Sequence, residues 1–102
     1  MERHQINPPL SADGQVIGEG DFDAQARQTF ENVGAVLEQA GAGFDAVVKL
    51  GVYLTDIGRL RDFGRIRDEF VVTSEPPAST AVEVSSLALP GMMIEVDAIA
   101  VR

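Results

Sequence analysis

An α+β domain, with two helices laid on one face of a mixed β-sheet, is the fold predicted by three observations. Two stretches, within 21–40 and 55–70, space apolar residues three to four apart, the period of a half-buried helix. Between them Val47, Val48, Leu50, Val52 and Leu54 make a nearly continuous apolar run rich in β-branched residues. Beyond Pro76-Pro77, two further runs alternate apolar with polar residues, the two-residue period of a strand with one buried face. The order helix, strand, helix, strand, strand suits a helix crossing between parallel strands, with the last two strands closing as a hairpin.

Taken in order, residues 1–20 carry turn chemistry in Asn7-Pro8-Pro9 and Asp13-Gly14, and only Gln15-Val16-Ile17 reads as a short strand. Asp21 is a natural N-cap, because a carboxylate there accepts from the unpaired amides of a first helical turn. The helix it starts presents Phe22, Ala26, Phe30, Val33, Val36, Leu37 and Ala40 on one stripe. Gly41-Ala42-Gly43 stops it, since glycine takes the left-handed conformation that follows a helix end. The strand of residues 46–54 is almost wholly apolar and is placed centrally. Thr55-Asp56 caps a second helix that turns Leu60, Phe63, Ile66 and Phe70 inward, and Gly58 and Gly64 weaken it by about 1 kcal/mol each relative to alanine. In the first C-terminal strand Thr80, Val82 and Val84 share one face. Past a Leu89-Pro90-Gly91 turn, Ile94, Val96, Ala98 and Ala100 share one face of the second, which leaves Glu95 and Asp97 on the other.

A chain of 102 residues, 45% hydrophobic and 24% charged, fits one globular domain spanning 1–102. Charges interrupt every apolar run before the ~18 residues a membrane span needs, so no membrane partner is expected. Met1-Glu2-Arg3-His4-Gln5 has no apolar signal core, and a cytoplasmic protein is expected. The absence of cysteine excludes disulfides, thiolate metal sites and a cysteine nucleophile. A net charge of −8 argues against nucleic acid as a partner, since phosphate capture needs a basic surface. Arg59, Arg61, Arg65 and Arg67 cluster in the second helix, but Asp62, Asp68 and Glu69 interleave with them, and Arg65 is spaced to pair with Glu69. That pattern reads as a solvated helix face. His4 is the single histidine, so neither a triad nor a multi-histidine metal site forms within one subunit, and no metal is assigned. Gly14, Gly18 and Gly20 lack the lysine–hydroxyl pair of a phosphate loop, and Met92-Met93 reads as core or interface packing. Helices cover only one face of such a sheet. The partly apolar second face calls for another layer, which a homo-oligomer supplies.

Several segments, in this order, carry a family resemblance. They are Asp13-Gly14-Gln15-Val16 with Gly20-Asp21-Phe22, then Ala24-Gln25-Ala26-Arg27-Gln28, Asn32-Val33, Ala35-Val36-Leu37 and Ala40-Gly41. Val47-Val48-Lys49, Val52-Tyr53-Leu54-Thr55-Asp56, Pro76-Pro77-Ala78 and Glu95-Val96-Asp97-Ala98-Ile99-Ala100 follow. Over roughly residues 12–102 the chain resembles the Rid family of reactive-intermediate deaminases, the YjgF-type proteins. The resemblance implies a chorismate-mutase-like sandwich, a homotrimer, and ligand clefts between neighbouring subunits. It implies hydrolysis of an imine to a 2-keto acid and ammonia, with neither metal nor organic cofactor. Glu95 matches the family's glutamate that holds the attacking water, a task open to a carboxylate within hydrogen-bond reach.

Three departures bear on activity. Asn7-Pro8-Pro9-Leu10 runs directly into Ser11-Ala12-Asp13-Gly14 where the family pattern has a hairpin, so residues 1–12 form an atypical, shortened N-terminus. Without that hairpin, a sheet edge is left unpaired or residues 1–10 take its place. Ser79 stands where deaminating members carry an arginine after Pro-Ala, and a serine hydroxyl does not reproduce the bidentate grip of a guanidinium on a carboxylate. Gly64 stands where an asparagine often approaches the cleft. The candidate site is therefore Glu95 as the catalytic carboxylate, with Ser79 and Thr80 as substrate-binding residues. The expected function is binding of a small-molecule metabolite with weak or altered imine deaminase activity. A non-catalytic metabolite-binding or regulatory module is the alternative. Endoribonuclease or translation-inhibitory activity ranks below both, because an acidic chain with one terminal histidine offers little for RNA cleavage.

Overall fold

The computed structural model describes residues 2–101, with side chains from Ile6 onward. Strand β1 (Glu2–Asn7) is followed by helix α1 (Phe22–Gln39), β2 (Val47–Leu54), α2 (Leu60–Arg67), β3 (Ala78–Glu83) and β4 (Ile94–Val101). One mixed sheet runs β1-β4-β2-β3. Helix α2 crosses between the parallel strands β2 and β3, while β4 lies antiparallel to both β1 and β2. Both helices pack on one face, over Leu50, Val52, Leu54, Ile94, Val96 and Ala98. The expected α+β architecture and the central position of residues 46–54 are thus borne out.

Local chemistry explains the elements. Asp21 accepts from the Ala24 amide at 3.1 Å and starts α1, and Gly41, at φ 73°, follows its C-cap residue Ala40. Asp56 accepts from the Gly58 amide at 2.9 Å, and Glu83 accepts from the Ile57 amide at 2.9 Å, so a 3-10 turn at Ile57–Arg59 leads into α2. Phe30 of α1 is fully buried and stands 5.7 Å from the Phe63 ring and 5.2 Å, nearly parallel, from Phe70. Aromatic contacts of this kind add to burial worth ~1.5–3 kcal/mol per large side chain. Met92 is buried and Met93 packs partly against the core, as their apolar character suggested.

Four expectations are corrected. The C-terminal strands do not form a hairpin, because β2 lies between β3 and β4. The physical reason is burial: Ile94, Val96, Ala98 and Ala100 are at most 4% exposed and need the middle of the sheet, whereas β3 offers only Ala81 to the core and serves as an edge. Residues 84–93 carry the chain across the end of β2, held by Val84 N–H to Leu54 O at 2.8 Å and Thr55 N–H to Met93 O at 3.2 Å.

The N-terminus is also more ordered than its turn residues suggest. Residues 2–7 pair with β4 from Glu2↔Val101 to Asn7↔Val96 and take the place at the sheet edge, while Val16 makes only an isolated bridge with Leu10. His4 pairs with Ile99 through its backbone; its side chain, like Arg102, lies outside the described residues.

The second helix is shorter than its periodicity implied. It ends at Arg67, so Phe70 reaches the core from the turn beyond, and Leu60 is 44% exposed rather than inward. Glu69 is consequently off the helix, and the i,i+4 pair with Arg65 does not form. Glu69 instead takes both Nε (3.1 Å) and Nη2 (2.8 Å) of Arg27, and Arg65 reaches Asp23 at 2.8 Å. The two ion pairs tie α1 to α2 and its following turn.

Candidate functional site

The face of the sheet away from the helices holds the candidate site, and strand register decides which side chains reach it. Residues of β2 alternate: Leu50, Val52 and Leu54 turn to the helices, while Lys49, Gly51 and Tyr53 turn away. Gly51 pairs with Thr80 of β3 on one side and with Asp97 of β4 on the other. Tyr53 pairs likewise with Val82 and Glu95, and Lys49 with Ala78 and Ile99. Three cross-strand rows therefore line the uncovered face.

The middle row is the lowest, because Gly51 has no side chain. A Cβ placed there would stand 3.5 Å from Asp97 Oδ2 and 3.6 Å from Tyr53 Oη, so both polar atoms lean over the glycine. Around it Lys49, Tyr53, Thr80, Val82, Asp97 and Ile99 enclose a half-open basin of about 360 Å³. Thr80 and Asp97 are two strand spacings apart, roughly 10 Å at the usual ~4.8 Å per strand. A basin of that breadth has room for a small carboxylate or zwitterion. The basin offers donors from Lys49, Tyr53 and Thr80 and acceptors from Asp97, with Glu95 half-buried one row along from Asp97 on the same face.

The sequence-predicted residues are not all brought together. Glu95 and Thr80 share the uncovered face. Ser79 does not: it pairs with Leu50 and so turns to the helix-covered side of the edge strand, where it is exposed. Ser79 and Thr80, both expected to bind substrate, thus face opposite sides of the edge strand within this chain. Gly64 sits in α2, on the other face from the basin, with only the Arg67 guanidinium near its missing side chain. Lys49, Gly51 and Tyr53 were missed as site residues, although their spacing held the signal. They interrupt an otherwise apolar strand at every second position, which marks a face that helices do not cover. Among the described residues no group of three or more acidic, histidine or cysteine side chains is placed to hold a metal ion, and no helix is long and apolar enough to cross a membrane.

Comparison with known proteins shows the family. The family model described as Endoribonuclease L-PSP matches residues 7–102. The chain is 36% identical over 86 residues to the RutC family protein slr0709 of Synechocystis sp., covering 84% of this chain and 65% of that protein. It is 37% identical over 93 residues to the 2-iminobutanoate/2-iminopropanoate deaminase of Capra hircus, covering 89% of this chain and 64% of the goat protein. Among solved structures, the Rid family protein YyfA of Yersinia pestis, described as of unknown function, superimposes with a TM-score of 0.84 at 31% identity, over 94% of this chain and 75% of that one. The chain thus spans just under two thirds of the length of the cyanobacterial and goat proteins.

Proposed function

The chain belongs to the endoribonuclease L-PSP family, the class of the RutC and Rid proteins, and we propose that it binds small carboxylate-bearing metabolites in the Gly51 basin. With that binding goes a weak or altered capacity to hydrolyse imines. The observation that carries this reading is the placement of Glu95, Asp97, Thr80 and Lys49 on one uncovered face around a side-chain-free floor. Lys49, the only lysine in the chain, supplies a positive charge at the basin, where Ser79 supplies none. An ammonium is a point charge and lacks the paired donors of a guanidinium, so it attracts a carboxylate without fixing its plane. Weak orientation of the substrate is the expected result.

The reaction needs only water and a base. Glu95 accepts a proton from water as its oxygen bonds to the imine carbon; the nitrogen, protonated in turn, leaves as ammonia when the carbinolamine collapses to the keto acid. The apolar residues of the uncovered face, with Ile6 64% and Val82 44% exposed, favour assembly of copies over that face, and a homotrimer is the state we assign. The basin then becomes a cleft between subunits. RNA is not proposed as a substrate, because the net charge of −8 opposes phosphate.

Ammonia release from an enzymatically generated 2-imino acid tests the reading. Slow turnover, reduced further by Glu95→Gln, supports it. Turnover equal to that of an authentic deaminase refutes the weak-activity claim. Ligand-dependent thermal shifts with flat kinetics favour the non-catalytic binding module instead.

A further inference from the structure

Gln25 is a fully buried polar side chain on α1 whose two shortest hydrogen bonds reach residues far along the chain. Its Nε2 donates to Gly91 O at 2.7 Å, and its Oε1 accepts from Met93 N–H at 2.8 Å. A second, longer donation reaches Gly18 O at 3.4 Å. The carboxamide thus grips the turn residue Gly91 and, two positions on, Met93, immediately before β4 begins at Ile94. Met93 is fixed from the other side too, since its carbonyl accepts from Thr55 N–H at 3.2 Å. The next residue, Ile94, opens β4 opposite Leu54, and Glu95 follows opposite Tyr53.

From this geometry we infer that Gln25 is a positioning residue for Glu95: it sets the register and direction with which β4 enters the sheet, from the opposite side of the protein. The inference rests on Glu95 being the working carboxylate. Gly91, at φ 86°, supports it, because the turn that aims its carbonyl at Gln25 uses a conformation other residues rarely take. No apolar residue replaces the grip. A leucine of similar volume leaves the Met93 amide and the Gly91 carbonyl without that partner in a part-buried place, and β4 must shift or fray at its first residues to satisfy them.

The test compares Gln25→Leu with Val33→Ala, a core change on the same helix that leaves the β4 entry untouched, in the full chain well below either melting temperature. In Gln25→Leu, kcat for 2-imino acid hydrolysis is expected to fall about tenfold with KM within about twofold, while Val33→Ala holds both within about twofold; the split marks loss of an interaction that acts on the reacting step. Amide hydrogen exchange at Met93 and Glu95 should speed up about tenfold in Gln25→Leu, with Ala98 and Ile99 unchanged, as local opening confined to the strand entry requires. Equal kinetic losses in the two variants, or unchanged exchange at Glu95, overturn the inference. If Gln25→Leu does not fold, Gln25→Glu, which keeps an acceptor for Met93 but loses the donor to Gly91, replaces it under the same criteria. The exchange measurement needs no turnover. If Glu95→Gln proves harmless, the catalytic reading fails, while the coupling of Gln25 to β4 is still decided by exchange.

Discussion

Filling the floor of the basin separates stability from binding. Gly51 sits in the middle of β2 with ordinary backbone angles, and an added Cβ meets its nearest neighbours at 3.4–3.6 Å, ordinary contact distance. Gly51→Ala therefore costs no clash and removes the entropic penalty of glycine within a strand, so the fold gains about 0.5–1 kcal/mol. For a domain of this size that corresponds to a melting temperature higher by roughly 2–8 °C. The same methyl stands against Asp97 and Tyr53 and displaces whatever rests on the glycine. Gly51→Leu fills the floor of the ~360 Å³ basin, and affinity for a small 2-keto acid should drop at least about tenfold, the loss of roughly 1.4 kcal/mol. Differential scanning fluorimetry with a 2-keto acid titration reads both effects, and light scattering checks that each variant keeps the wild-type mass. If Gly51→Leu keeps that mass and binds as the wild type does, the basin is not the ligand site.

Thr80→Val should weaken 2-keto acid binding about two- to tenfold, the worth of one neutral hydrogen bond, whereas Ser79→Ala should change it less than about twofold, because Ser79 is on the other side of the strand; isothermal titration of both variants checks the contrast. Phe30→Ala should destabilise the fold by about 3–5 kcal/mol in urea melts, since it empties the centre of the aromatic cluster. The hydrogen bond and charge of Arg27 hold the Glu69 carboxyl below its ordinary value of 4.5. A lowered folded-state value gives stability that is present above 4.5 and is lost as pH falls through the folded value. Glu69→Gln should therefore flatten the acid side of the stability curve below about pH 4.5, as denaturant midpoints across pH will show, with only a small change at neutral pH because the pair is exposed.

The helices and the middle of the sheet were legible because their signals are local. An N-cap at Asp21, a glycine after the helix and a 3.6-residue stripe each depend on neighbours a turn away. Sheet order depends on competition among strands for the same buried place. Two alternating runs joined by Leu89-Pro90-Gly91 look like a hairpin until burial is compared across all the strands, and β4 wins the centre because every inward residue of it is apolar. Register errors are less forgiving than order errors. Ser79 and Thr80 are neighbours in sequence and were both assigned to substrate binding, yet one position in a strand is the difference between two faces. Glu95 is singled out by its motif, whereas the Gln25 grip on Gly91 and Met93 joins residues 66 and 68 positions apart and leaves no periodic trace.

The sheet order β1-β4-β2-β3 also sets a timetable for folding. During synthesis β1, β2 and β3 leave the ribosome before β4, yet β1 has β4 as its partner and β2 needs β4 along one edge. Until residues 94–101 emerge, β2, β3 and the helices assemble at most half a sheet, with the backbone groups of β2 unpaired along the edge that awaits β4. The pairing of Glu2 with Val101 closes nearly the whole chain into one loop, a long-range contact that slows folding. A nascent chain stalled short of Ile94 would present the unpaired edge of β2 to its neighbours, a template for pairing with another chain.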